Sequence, residues 1–438
     1  MNAQPRISGW YALAHRVRWR IFGFLFAFGF IAYFQQKGIT VAAVPMMPAL
    51  GISQVQIAWL EWAFVLGYAL FQFPGGLIGQ RIGARRMFTL IGSVAFLATA
   101  LTPLAPQVLQ GSALLGMLLA LQLLLGLAQG AIFPVGSGVM EAWFRPEKWA
   151  FLQGFQTMGM QLAAAAATVL AAYLMNSVGW EKALLWPALP AVPIILLWAW
   201  YGRDSPMEHP AVTAAELAEL DARPTQPPPT SISAQRLWKV LSNRSVLLLT
   251  LSYVCLNYTF YLLSNWCFLY LIQERHFSVL EGGGLAMTPP LAAAVGAGIG
   301  GKLVALLCER FGNRWGFRLL PMIFLPMAGL LLLVAVNLSN PYWAVIALAL
   351  AYSVLELNEG AYWGATMFVA RSDTMSATGV LNTGGNVGGL FAIPIVGYLS
   401  AGGHWSSAFA IGTVFAVVGA LLWLGIDAGQ VATSEKVA

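Results

Sequence analysis

The chain has 438 residues, of which 59% are apolar or aromatic and only 9% charged. Soluble domains carry about a quarter charged residues, so this sequence cannot solvate a globular surface, and a soluble enzyme or a nucleic-acid binder is excluded. The formal net charge of +6 is then an orientation signal for a membrane protein rather than a footprint for an anionic polymer.

A membrane helix needs about 20 apolar residues. Apolar runs bounded by charged or Gly/Pro clusters predict twelve such spans, at 20–49, 53–77, 87–104, 113–137, 149–175, 180–201, 246–272, 283–307, 317–337, 341–369, 376–400 and 405–426. Arg16, Arg18 and Arg20 precede the first run, which is too long for a signal-peptide core and reads as a membrane helix. Between the sixth and seventh runs, a polar stretch with Pro227, Pro228 and Pro229 reads as a linker, with a short surface helix expected at 214–222. The predicted organisation is a six-helix half at 1–202, a cytoplasmic linker at 203–244 and a second six-helix half at 245–438. With both termini cytoplasmic, every Lys and Arg except Lys37, Lys182, Arg275 and Lys302 falls on the cytoplasmic side, as the positive-inside rule requires. Cys255, Cys267 and Cys308 have no metal-ligand spacing and read as small apolar filler.

The two halves echo one another. Gln80-Arg81-Ile82-Gly83-Ala84-Arg85 follows span 2, and Glu309-Arg310-Phe311-Gly312-Asn313-Arg314 follows span 8. Tyr173-Leu174 with Trp180 is repeated as Tyr398-Leu399 with Trp405 at nearly the same offset. Two echoes at nearly one offset indicate a duplicated six-helix unit, an architecture of transporters with a midplane site.

The segment Gly75-Gly76-Leu77-Ile78-Gly79-Gln80-Arg81-Ile82-Gly83-Ala84-Arg85-Arg86 resembles the loop 2–3 signature of the major facilitator superfamily, with Gln80 where that superfamily usually has Asp. Within it, Leu66-Gly67-Tyr68 with Gln72-Phe73-Pro74-Gly75-Gly76, Ala142-Trp143-Phe144-Arg145-Pro146-Glu147 and Arg203-Asp204-Ser205-Pro206-Met207-Glu208-His209-Pro210 are similar to the anion:cation symporter family, as is the stretch from Val41 to Ser53. The resemblance covers essentially the whole chain. It implies an all-α major facilitator fold of 12 transmembrane helices in two pseudo-symmetric halves, with spans 1, 4, 7 and 10 lining a central cavity. It also implies gating contacts on the cytoplasmic face from Gln80, Arg81, Arg85, Glu309 and Arg310.

Polar residues within spans mark pathways, because they are costly in lipid. In span 1, Tyr33, Gln36, Lys37 and Thr40 share a helix face. Family members usually carry Asp-Arg where Gln35 and Gln36 stand, and a related organophosphate-carrier family has Arg-Lys at what looks like Gln36-Lys37. Lys37 is the expected cationic contact for an anionic substrate; the competing reading pairs it with Glu61 or lets it snorkel. In span 4, Gln122 and Gln129 occupy positions where the family's Arg and Glu form a proton-coupling pair, and neutral amides cannot release a proton. Span 10 offers Tyr352, Glu356, Glu359 and Trp363 on one face. Two carboxylates one turn apart in low dielectric repel, which suits proton uptake. Span 7 adds Tyr258, Tyr261 and Asn265, and span 11 adds Asn382 and Asn386, where inter-helix bonding competes with ligand contact.

No metal-ligand cluster, nucleotide loop or nucleophile triad is legible, and no cofactor or enzyme activity is expected. The sequence therefore reads as a monomeric secondary transporter of a small organic anion, such as a sugar acid, in a bacterial-type inner membrane, with proton coupling through Glu356 or Glu359. An uncoupled facilitator or exchanger, a carrier of a zwitterionic or cationic substrate, and a transporter-like sensor remain as alternatives.

Overall fold

The computed structural model describes residues 16–220, 238, 240–277, 281 and 284–429. Among them the chain is helical throughout, with no strand. Local signals set the boundaries. α1 (Val17–Leu50) stops where Gly51 takes φ 64°, a left-handed conformation that favours glycine. α2 (Gln54–Ile82) starts in a reciprocal capping box: the Gln56 amide donates to Ser53 Oγ at 3.2 Å and the Ser53 amide to Gln56 Oε1 at 2.8 Å. α3 (Ala84–Leu101) follows at once. α4 (Gly111–Gly130) and α5 (Ile132–Trp143) form one span interrupted at Ala131, and α6 (Pro146–Val178) is the fifth. α7 (Trp180–Leu185) and α8 (Ala191–Tyr201) share the sixth, and the short α9 (Ala214–Leu220) follows.

α10 (Arg244–Gln273) is capped by Asn243, whose side chain accepts from Ser245 and Val246. α11 (Thr288–Asn337) is divided at Gly312, φ 73°, into spans eight and nine. α12 (Pro341–Glu356) and α13 (Glu359–Ala370) make the interrupted tenth span, and α14 (Thr374–Ala401) and α15 (Trp405–Leu422) complete the bundle. Among the described residues nine helical stretches are long and apolar enough to cross a membrane, undivided α11 being one of them; α6 and the interrupted sixth span supply the rest of the twelve. Leu70, Leu196, Ile323, Leu330 and Val414 are exposed, an apolar outer surface that suits lipid rather than water.

The internal repeat is built into the packing. Gly83 (φ 87°) and Gly312 (φ 73°) make the tight turns after spans 2 and 8, which explains why glycine stands in the same place in both Arg-x-Gly-x-Arg echoes. Each turn lies close to an aspartate just past the last helix of its own half. The Arg85 amide donates to Asp204 Oδ1 at 2.6 Å, and Arg314 Nε lies 4.0 Å from Asp427 Oδ1. Spans 2 and 4 touch backbone to backbone: a Cβ on Gly67 would overlap the Leu123 carbonyl, and one on Gly126 the Phe64 carbonyl. Spans 8 and 10 repeat the device, Gly296 against Ser353 and Gly300 against Leu357.

The halves close on each other at the end carrying the Gly83 turn. Met375 at the start of α14 rests its carbonyl on Gly76 and its thioether on Gly79 and Gly138. Ser376 donates to the Gln80 side chain, Gln153 reaches Met367 Sδ at 3.3 Å, and the Arg371 guanidinium lies over the Trp149 ring.

The polar connection starts folded against the first half. Glu216 of α9 accepts from the Val17 and Arg18 amides at 3.4 and 3.3 Å, filling the open start of α1, while Glu219 pairs with Arg16 and Arg18. The helix expected at 214–222 is therefore present over 214–220, with Glu216 buried rather than solvated. His209 is buried between Trp143 and Tyr201 and accepts from the Ala211 amide through Nδ1. That burial, reinforced by the Arg203 charge, holds its imidazole below the ordinary value of 6.5.

Gly126→Leu should cost about 1–3 kcal/mol or more by overpacking, whereas Gly116→Ala, which faces open space, should leave the melting temperature of the purified protein unchanged; equal melting of the two would reject the close contact. Neutral His209 is the form that fits, so its contribution is present above the unfolded pKa and is lost as pH falls below it. Hydrogen exchange across 205–213 should therefore speed up between about pH 7.5 and about pH 5.5 relative to intrinsic rates, and His209→Gln should abolish that dependence.

Candidate functional site

A cavity of about 400 Å³ lies between the halves. It extends from Gln153 near the closed end to Asn265 and Met287 near the other. Tyr33 and Gln36 of α1, Tyr68 of α2, Gln129 of α4 and Phe133 of α5 contribute to its first wall. α6 adds Gln153, Gln156, Thr157 and Gln161. Opposite them stand Tyr253, Asn257, Tyr261 and Asn265 of α10, Tyr352 and Glu356 of α12, Glu359 and Trp363 of α13, and Asn382 and Asn386 of α14.

The break in the tenth span positions the carboxyl groups. Asn358 closes the end of α12 by donating to the Val354 and Leu355 carbonyls, each at 3.0 Å. This places Glu359 in the first turn of α13, where the helix dipole favours an acidic side chain. Tyr253 Oη and Trp363 Nε1 both donate to Glu359 Oε2, at 3.0 and 2.9 Å. Trp363 in turn meets the Phe133 ring edge to face at 6.2 Å, joining the two halves across the cavity floor. Glu356 faces Gln161, which is also a polar neighbour of Tyr352. Among the described lining residues these two glutamates are the only charged side chains.

Amides stand where the family resemblance implies charges. Gln129 Nε2 donates to Gln35 Oε1 at 3.1 Å, a neutral clasp between α4 and α1. Tyr261 Oη donates to Asn386 Oδ1 at 2.9 Å, and Asn386 Nδ2 to the Asn382 carbonyl. Gln156 belongs to the wall, and its Nε2 is buried beside Gly29 and Gly136 with no partner among the described residues.

Most of the expected site residues are thus brought together: Tyr33, Gln36, Gln129, Tyr261, Asn265, Glu356, Glu359, Trp363, Asn382 and Asn386 all line one space. Two are not. Tyr258 is fully buried and stacks on Phe415 of α15 at 4.2 Å; it is turned about 100° from its neighbour Asn257, which lines the cavity. Gln122 is buried in α4 two turns from Gln129 and outside the lining. Lys37 continues α1, and its side chain lies outside the described residues; Glu61, its possible partner, is exposed. Of the gating set, Gln80 does bridge the halves through Ser376. Arg85 instead bonds the Ala199 carbonyl within its own half. Arg81, Glu309 and Arg310 are exposed, with Arg310 over the Phe311 ring. Loop 8–9 is thus no second copy of the inter-half contact. The cavity residues Tyr253, Gln153, Gln156 and Gln161 were not chosen from sequence. Continuing the Asn257–Tyr261 spacing back by one turn leads to Tyr253, whereas the Gln residues of α6 carried no distinguishing signal.

Twelve spans in two similar bundles around a buried polar cavity define a membrane-transport fold. The model of the Major Facilitator Superfamily matches residues 25–369, and the chain belongs to that family. A Cupriavidus necator protein named as a sulfoacetate transporter is 28% identical over 94% of this chain and 94% of its own length. A Bacillus subtilis protein named as a galactarate/D-glucarate transporter is 26% identical, covering 93% of this chain and 91% of its own. Among solved structures, the transporter FucP in its outward conformation superposes with a TM-score of 0.72 at 14% identity, covering 94% of this chain and 100% of that one. A bacterial ferroportin homologue in its outward-facing state gives 0.72 at 13%, covering 93% and 99%.

The Glu359 geometry carries its own test. Glu359→Ala orphans two buried donors and should cost about 1–3 kcal/mol of stability, read as a lower melting temperature. Glu359→Gln keeps an acceptor oxygen in place and should melt close to the wild type; identical melting of both variants would remove the bonded cluster from the account.

Proposed function

We propose that the protein is a secondary transporter of a small organic anion, a sugar acid or another carboxylate, working by alternating exposure of the central cavity. The observation that carries this reading is a closed-ended cavity walled by amides and hydroxyls, among them Gln36, Gln129, Tyr261, Asn382 and Asn386. Hydroxyls and carboxylate oxygens of a polyol acid match such a lining. The names of the sulfoacetate and galactarate/D-glucarate relatives support the anionic class.

In this reading Lys37 supplies the positive charge for the anion, and Gln36, Gln129, Tyr261 and Asn386 supply hydrogen bonds. Gln122 and Tyr258 have no part. Glu356 and Glu359 carry the proton, because Gln122 and Gln129 stand where the family resemblance implies a coupling pair. Residues 1–202 and 245–438 act as the two moving halves joined by 203–244, in a bacterial inner membrane with both termini cytoplasmic and the monomer as the working unit. One observation favours a second reading, a zwitterionic or cationic substrate: the described lining holds two carboxyl groups and no cation.

The test is a ligand panel by thermal shift on purified protein, including sugar acids, sulfonates and amino acids, followed by uptake into proteoliposomes with and without a pH gradient. Lys37→Ala should weaken anion binding tenfold or more, roughly 1.4 kcal/mol, while Lys37→Arg retains it. Stabilisation by amino acids alone would replace the anion reading with the zwitterion. Glu356→Gln with Glu359→Gln should abolish the response to the gradient while sparing exchange of substrate for substrate. Gradient-insensitive uptake by the intact protein would establish an uncoupled carrier instead.

A further inference from the structure

Away from the central cavity, a second pocket of about 770 Å³ opens between the end of α2, the start of α3 and the end of α8. Four arginines line it, Arg81, Arg85, Arg86 and Arg203, against two acids, Asp204 and Glu208. Asp204 is already engaged, since its Oδ1 accepts from the Arg85 amide. Arg85 is pinned by donating from Nε to the Ala199 carbonyl at 2.9 Å, and Arg203 by donating from Nη1 to the Trp200 and Gly202 carbonyls at 2.8 and 2.7 Å. A guanidinium has five N–H donors, so each keeps donors free, and a pinned fork loses less freedom when it takes up an anion. Arg81 and Arg86 are exposed and have no carboxylate partner among the described residues.

The surroundings define the kind of anion. Leu90 lines the same pocket and is exposed, and Leu196, Leu197 and Trp200 on α8 are exposed beside it. A tryptophan at this level is an interfacial residue, and the leucines face acyl chains. The pocket is therefore cationic at the membrane surface and apolar below, which matches an amphiphile better than a free ion. A choline headgroup would bring its ammonium against the arginines, so the match is to a lipid with net negative charge. We propose that this pocket binds the phosphate of an acidic phospholipid, with Arg81 and Arg86 as its mobile contacts and Arg85 and Arg203 as its fixed ones.

The experiment uses the full chain, delipidated in neutral detergent, and native mass spectrometry with phosphatidylglycerol, phosphatidylcholine and inorganic phosphate. Phosphatidylglycerol should bind at least tenfold tighter than phosphatidylcholine, and its binding should weaken as salt rises. The Arg81→Gln/Arg86→Gln double variant should lose about tenfold for phosphatidylglycerol, while Arg145→Gln on a different loop keeps wild-type binding. Inorganic phosphate should fail to displace the lipid. Equal binding of the two lipids by the wild type would overturn the proposal without recourse to any variant. So would unchanged binding by a folded double variant. Displacement by inorganic phosphate would assign the same arginines to a free anion and overturn the lipid as occupant.

Discussion

Backbone contact through glycine is the constraint on which this structure rests. In lipid, helices gain little from burying apolar side chains against one another, because the solvent is itself apolar. What holds them is close approach, and Gly67 and Gly126 allow it between spans 2 and 4 as Gly296 and Gly300 do between spans 8 and 10. These glycines set the helix spacing within each half. The surfaces between the halves use the same device, with Gly154 against the Ala297 carbonyl, Gly301 against the Ala150 carbonyl and Gly379 against the Gln72 carbonyl, and add a thioether in a glycine-lined socket, neutral hydrogen bonds and one stacked arginine.

The cavity lies between the halves that these contacts join. A membrane tolerates irregular backbone only where protein or a cavity receives it. The described chain has two such interruptions beside the cavity, at Ala131 and at Leu357–Asn358, one in each half. The second is the more consequential. It turns Glu359 toward Tyr253 and Trp363, and it leaves Glu356 one turn away facing Gln161. The first half answers with amides, of which the Gln129–Gln35 clasp is the clearest. The two walls are thus chemically unequal although the helices that build them are similar.

Much of this was legible in the sequence. Hydropathy placed the twelve spans, and the Arg-x-Gly-x-Arg echo marked both tight turns, because a positive φ at that position leaves glycine as the residue that fits. The Glu356–Glu359 pair stood out because charge is rare in a span. Less was legible where one face of a helix meets two environments. Tyr258 and Tyr261 are both polar aromatics one turn apart, yet one stacks on Phe415 and the other lines the cavity, a distinction that depends on which neighbour lies alongside. Asp204 and Asp427 play matching parts in the two halves, but they sit in dissimilar local sequence, so only their spatial relation to the turns reveals the match.

The Asp204 contact has a mechanical meaning. The connecting segment leaves the first bundle at Gly202, and within two residues it is tied back to the turn between spans 2 and 3; further on, Glu216 and Glu219 tie it to the start of α1. Residues 203–220 are therefore structurally part of the first bundle. The part of the connection held against the first bundle thus reaches Leu220 rather than stopping at the end of the sixth span.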